Sequence, residues 1–182
     1  MTAIPIRPSY RALLPLSAIM LVILGACGGG SGPEPPAPPE NPMLPLAANA
    51  QLYYDDRGGI TDSVRTVVLD DEGWAEEWEQ ATARRAEPPP RPEVDFERYM
   101  VLIAAAGRMD PGDRIQVDSA GVRTERTTED EEEVFEVIIR TVRGCGTLRA
   151  DIHPLTIVRL PRFDGRVGFV ERSEAATCSE DR

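Results

Sequence analysis

The sequence predicts an α+β domain in which one helix packs on a mainly antiparallel sheet of five to seven short strands, behind a disordered Pro-rich tether. Only one stretch, residues 70–85, combines helical spacing of large apolar side chains with a capping residue at its start. The remaining apolar residues fall in short β-rich runs separated by turn residues. Helix and strands do not alternate, which argues against a parallel sheet built from βαβ units.

Taken in order, the folded part is expected from about Leu52. Residues 63–69 are rich in Val and read as a strand. Asp70 or Asp71 can cap a helix running to about Arg85, in which Trp74 and Trp78 share one face and pack on the sheet while Glu76, Glu77 and Glu79 turn to water. Pro88, Pro89, Pro90 and Pro92 then exclude further helix. Residues 99–106 form a continuous apolar run, short enough for a central strand buried on both faces. Asp110-Pro111-Gly112 supplies turn chemistry before a strand at 113–118, and a separate strand is expected at 121–127. The acidic run 129–133 reads as a solvated loop with mutual repulsion. Residues 134–142 and 155–160 are the last strong strands, and Gly165 is expected to turn a final hairpin into 167–170.

The 182 residues leave room for one domain once the N-terminal segments are set aside. Residues 1–26 read as an export signal: Arg7 and Arg11 precede an apolar stretch of about a dozen residues, too short to span a bilayer. That stretch ends Leu24-Gly25-Ala26-Cys27, which resembles the lipobox of bacterial lipoproteins. The resemblance implies cleavage before Cys27 and lipidation of its thiol, hence stable attachment to a membrane, since several acyl chains hold where one does not. Residues 27–50 are expected to be a Gly/Pro-rich spacer, with seven prolines between positions 33 and 45. Fully extended at about 3.1 Å per residue, its stretch from Gly28 to Pro45 would reach on the order of 55 Å. Residues 51–182 are expected to fold. The implied location is the extracytoplasmic side of the cell envelope.

All 20 basic residues are Arg. Loss of residues 1–26 would remove two of them and none of the 31 acids, taking the net charge from −11 to −13. Such a chain is a poor partner for nucleic acid or anionic headgroups, which are bound through basic patches. Apart from Cys27 the cysteines are Cys145 and Cys178. In an oxidising compartment this even pair is expected to join, closing a loop of about 34 residues and contributing about 3 to 4 kcal/mol by chain entropy. Two free thiols are the other arrangement open to this spacing.

With the elements in place, residues 60–172 resemble the C-terminal domain of the PrcB family, the accessory lipoprotein subunit of an exported protease complex. The resemblance rests on the helix bearing Trp74 and Trp78, on Val94-Asp95-Phe96 leading into the apolar strand, and on Gly107-Arg108-Met109 at its exit. It ends with the segment from His153-Pro154 to Pro161-Arg162. The chain departs from the family at Asp110-Pro111-Gly112-Asp113-Arg114, where a Thr-Gly-Gly-Tyr-like turn is the pattern. The resemblance implies a protein-binding role in assembling or stabilising an exported protease.

No catalytic constellation is visible. His153 is the only histidine, and its neighbour Pro154 imposes extended backbone suited to a strand entrance rather than to a mobile general base. The acidic run 129–133 has the charge to collect calcium but not the alternating ligands and glycine of a calcium loop. Gly144-Cys145-Gly146 reads as backbone around a disulfide rather than as a reactive thiol. The chain is therefore expected to bind protein without catalysis, cofactor or metal. An extracytoplasmic small-ligand or ion binder, or an enzyme using acidic residues, is the alternative.

Overall fold

The computed structural model describes residues 43–126, 131–145 and 150–178. Within them the order is β1 (Leu44–Pro45), β2 (Gln51–Asp55), β3 (Ser63–Val68), α1 (Asp71–Thr82), β4 (Tyr99–Ala106), β5 (Arg114–Arg126), β6 (Glu131–Arg143), β7 (Leu155–Pro161) and β8 (Arg166–Ala175). The strands form two four-stranded sheets, ordered β1-β5-β6-β8 and β2-β7-β4-β3. All pairs are antiparallel except β6 with β8. The fold is α+β, with two sheets in place of the single one expected from sequence and eight strands in place of five to seven.

β4 organises the layers. Its run Tyr-Met-Val-Leu-Ile-Ala-Ala-Ala has no polar face, and side chains alternate across a strand, so both faces must be covered. Met100, Leu102 and Ala104 join Val158 and Leu160 of β7 against Ile115 of β5 and Phe135, Val137 and Ile139 of β6, filling the space between the sheets. Val101, Ile103 and Ala105 face the other way, with Leu155 and Ile157, onto Trp74, Trp78 and Ala81 of α1. The layers are thus helix, sheet, sheet.

Asp70 caps α1, its carboxylate accepting from the Gly73 amide at 2.8 Å. Trp74 is fully buried and meets Trp78 edge-on with ring centroids 5.2 Å apart. The indole N–H of Trp74 donates to the Pro92 carbonyl and that of Trp78 to the Pro89 carbonyl, so the proline loop is fastened by the residues that anchor the helix. α1 stops at Thr82, a few residues earlier than the pattern suggested. Its last turn tightens, with Ala83 and Arg85 amides reaching three residues back, while the Gly59 amide takes the Ala81 carbonyl. A Cβ on Gly59 would lie 2.0 Å from the Gln80 carbonyl oxygen, so only glycine permits this approach.

Four expectations are corrected. The strands expected at 113–118 and 121–127 are one: β5 runs for 13 residues, Arg114–Arg126, with a register shift between Val117 and Ser119 and with Ser119 and Ala120 paired to Ile138 and Val137, while residue 127 lies outside the described residues. Gly165 does not turn a hairpin between β7 and β8. β7 is flanked by β2 and β4 and has no free edge, so β8 crosses to the other sheet, pairs parallel with β6 and contributes Val167 and Phe169 to the inter-sheet core. Glu131, Glu132 and Glu133 belong to β6 rather than to a loop, while residues 129 and 130 lie outside the described residues. Finally, residues 43–50, assigned to the spacer, belong to the fold: Leu44 and Pro45 pair with Ala120 and Ser119, and the chain then leads into β2. Proline in β1 is compatible with an edge position, where a missing N–H costs no ladder bond.

Candidate functional site

The long sides of the sandwich differ in how they are finished, and the site lies on the less finished one. There β5 is the long outer strand of one sheet and β2 the outer strand of the other. Among the described residues β5 is met on its outer edge by β1 alone, at Ser119 and Ala120. The chain then straps the gap: the Leu46 amide donates to the Asp118 carbonyl at 3.3 Å, and the Arg159 amide of β7 donates to the Ala50 carbonyl at 2.7 Å. Among the described residues Gly121–Arg123 have no strand partner on that edge.

A groove opens on each side of this strap. The first, about 490 Å³, is lined by Gln51, Tyr54, Arg114, Ile115, Gln116 and Thr156 among others. Among the described residues Tyr54 is one of three large apolar side chains left exposed, and the partial burial of its ring pushes its phenol up. The second, about 570 Å³, is mainly apolar and includes Leu44, Ala120, Val122, Phe135, Leu160 and Pro161. Its sequence logic is visible in the register: Ala120 and Val122 oppose Val137 and Phe135, so they point inward, and the small Ala120 leaves the space between the sheets open from the side. The lining includes no acid and one cation, Arg159, whose guanidinium stacks over the Tyr99 ring at 4.6 Å.

The residues singled out from sequence are not gathered at this site. Cys27 lies outside the described residues. Cys145 and Cys178 stand at disulfide distance, Cα to Cα 5.7 Å, beyond the paired ends Arg143 and Ala175 of β6 and β8. His153 is built into a turn: its amide donates to the Asp56 carbonyl, its carbonyl accepts from the Gly58 amide, and its Nδ1 accepts from Arg84 at 2.9 Å. Of the acidic run, Glu132 sits 3.4 Å from Arg166, which also pairs with Glu125; Arg123 in turn joins Glu125 and Glu136. The carboxylates there are offset by arginines of β5 and β8. Among the described residues no group of three or more His, Cys, Asp or Glu is placed to hold a metal ion.

Two buried carboxylates were missed. Asp55 is 2 % exposed, held by Arg85 at 2.5 and 2.6 Å, by the Arg57 amide and by the Tyr53 hydroxyl. Burial raises its proton affinity, but these donors outweigh that and hold the carboxyl below the ordinary range. Asp113 accepts from Arg143 and the Gly144 amide, tying the 110–113 turn to the end of β6. Little in the local sequence marks either one, since the arginines that pair with them lie 30 positions away.

Comparison with protein-family models, with curated proteins and with solved structures finds no match for this chain. No helix among the described residues is long and apolar enough to cross a membrane.

Proposed function

We propose that this chain is a membrane-anchored lipoprotein whose folded part is a protein-binding accessory domain, engaging a partner through the outer edge of β5. One observation carries the reading: a 13-residue strand that, among the described residues, is paired on its outer side at two positions, beside a groove into the core. An exposed strand edge offers a row of main-chain donors and acceptors to which an extended segment adds as a further strand, while alternate side chains enter pockets. An apolar groove beneath that edge supplies such a pocket.

The lipobox-like end of the N-terminal signal supports attachment through Cys27, with residues 28–42 as the spacer that lets the domain reach its partner. A cysteine pair at disulfide distance accords with an extracytoplasmic location. The resemblance to the PrcB family makes an exported protease the first partner to seek, other envelope proteins the next. The domain acts by binding, not catalysis, in this reading.

The test is an affinity pull-down of the full-length chain from solubilised membranes of its native cells, with a Cys27→Ser control. Recovery of an exported protease in stoichiometric amount, reduced when Cys27 is replaced, is the expected result. A chain that returns alone under both conditions overturns the accessory-subunit reading.

A further inference from the structure

The apolar groove differs from the rest of the surface in charge. The chain carries 31 acids against 20 arginines, yet the lining of this groove holds no acid. Many arginines elsewhere are matched to carboxylates, among them Arg65 to Glu171, Arg85 to Asp55, Arg91 to Asp71, Arg108 to Asp151, and Arg140 to Asp118 and Glu174, but none of those lines this groove. Arg159 has no carboxylate partner among the described residues and is held by an aromatic ring instead. Stacking on Tyr99 fixes a guanidinium without neutralising it, which leaves its charge available to an incoming anion.

We propose that the segment received at the β5 edge is an extended peptide carrying apolar side chains at alternate positions and one carboxylate, which pairs with Arg159. The inference rests on the strand-addition reading above and specifies what is added. The segment would lie along Gly121, Val122 and Arg123, which have no strand partner on that edge among the described residues. An apolar side chain on its inner face would enter between Val122, Phe135 and Leu160, and a carboxylate at the rim would meet Arg159. An acyl chain with a carboxylate head shares part of this chemistry, but it would leave the donors and acceptors of the strand edge unused, and those favour a peptide.

The experiment uses the full-length chain reconstituted in phosphatidylcholine vesicles and two pools of fluorescent peptides that alternate threonine with randomised apolar residues. One pool carries a single Glu at varied positions and the other carries Gln there; versions of both are N-methylated at alternate amides. A charge-assisted hydrogen bond is worth about 1.5 to 3 kcal/mol, so the Glu pool is expected to bind at least about tenfold tighter by fluorescence anisotropy. That preference should vanish in Arg159→Gln and persist in Arg172→Gln, an equal charge change on β8. N-methylation should abolish binding of both pools. Equal binding of the two pools, with N-methylation still abolishing it, overturns the carboxylate inference and leaves strand addition standing. Binding that survives N-methylation, or no binding by either pool, overturns strand addition and this inference with it. Displacement of the peptides by decanoate at the same concentration whether or not they are N-methylated would give the groove to an acyl chain and also overturn the proposal.

Discussion

On one long side of the sandwich β3 and β8 are stitched together, whereas on the other β5 and β2 are spanned by a strap. The stitched side carries Arg65, which donates to Glu171 of β8 through two nitrogens at 2.8 and 3.1 Å and to the Ala105 carbonyl of β4 at 2.5 Å. Its cleft, about 340 Å³, is lined by Arg65, Arg108 and Arg143, each of which is already paired with a carboxylate. At the same end Cys145 and Cys178 hold the tail of β8 to β6. The strapped side has two grooves, a two-residue strand and, in Arg159, an arginine without a carboxylate partner among the described residues. Satisfied polar groups add stability and leave nothing for a ligand, while unmet hydrogen-bonding groups beside apolar surface are what a partner can use. On the proposed reading the two sides divide stability from recognition, and substitutions should separate the two effects.

The largest effect belongs to the stitched side. Replacing both cysteines, Cys145→Ser with Cys178→Ser, should lower unfolding free energy by about 3 to 4 kcal/mol, the chain-entropy value for a loop of this length, as read by urea denaturation under oxidising conditions. Peptide binding at the β5 edge should be unchanged once the protein is folded. A stability equal to the parent chain's would mean that the two thiols are not joined in solution.

Next comes Asp55, which shows that β2 is firmly held although its sheet edge borders the strap. Asp55→Asn should cost about 2 kcal/mol near neutral pH, since it weakens the hydrogen bonds from Arg85 to a carboxylate closed off from water. The sign with pH follows from a folded-state proton affinity below the ordinary one. The contribution is complete above the usual carboxylate range and is lost as pH falls through the lower folded value. The gap between parent and variant in urea midpoint should hold at neutral pH and close in acid; a gap that widens in acid would contradict the pairing. Arg65→Ala is smaller, about 1 kcal/mol, because Glu171 is half exposed and water replaces part of what is lost.

The parts of this molecule legible in its sequence are those governed by neighbours along the chain. β4 was readable because its eight apolar residues need cover on both faces, and α1 because Asp70, Trp74 and Trp78 sit at capping and same-face spacings. The second sheet was not, because whether β8 pairs with β7 or β6 depends on which edges remain free, a property of the assembled sheet. The candidate site was hidden for the same reason. Leu44 and Pro45 look like spacer, Ala120 looks like a break, and Arg159 is one apolar-flanked arginine of many; only the register of β1 on β5 brings them to one groove. Asp55 and Arg85 were likewise two ordinary charges until the turn after α1 faced the end of β2.

The smallest stability effect is also the sharpest test of the division between the two sides. Leu44 is 63 % exposed, so it buries little and Leu44→Ser should change unfolding free energy by less than about 0.5 kcal/mol. Yet Leu44, the first residue of β1, lines the apolar groove beside the edge that an added strand would use. If that side exists for recognition, the same substitution should weaken binding of the Glu-bearing pool several-fold while the urea midpoint stays in place. The opposite pattern, a clear loss of stability with binding untouched, would make the strap a structural clamp and the groove a by-product of how the two sheets splay. Because both readouts come from one variant on one preparation, the result bears directly on what residues 43–50 are for: they are either the last stitch of the sandwich or the threshold of its binding edge.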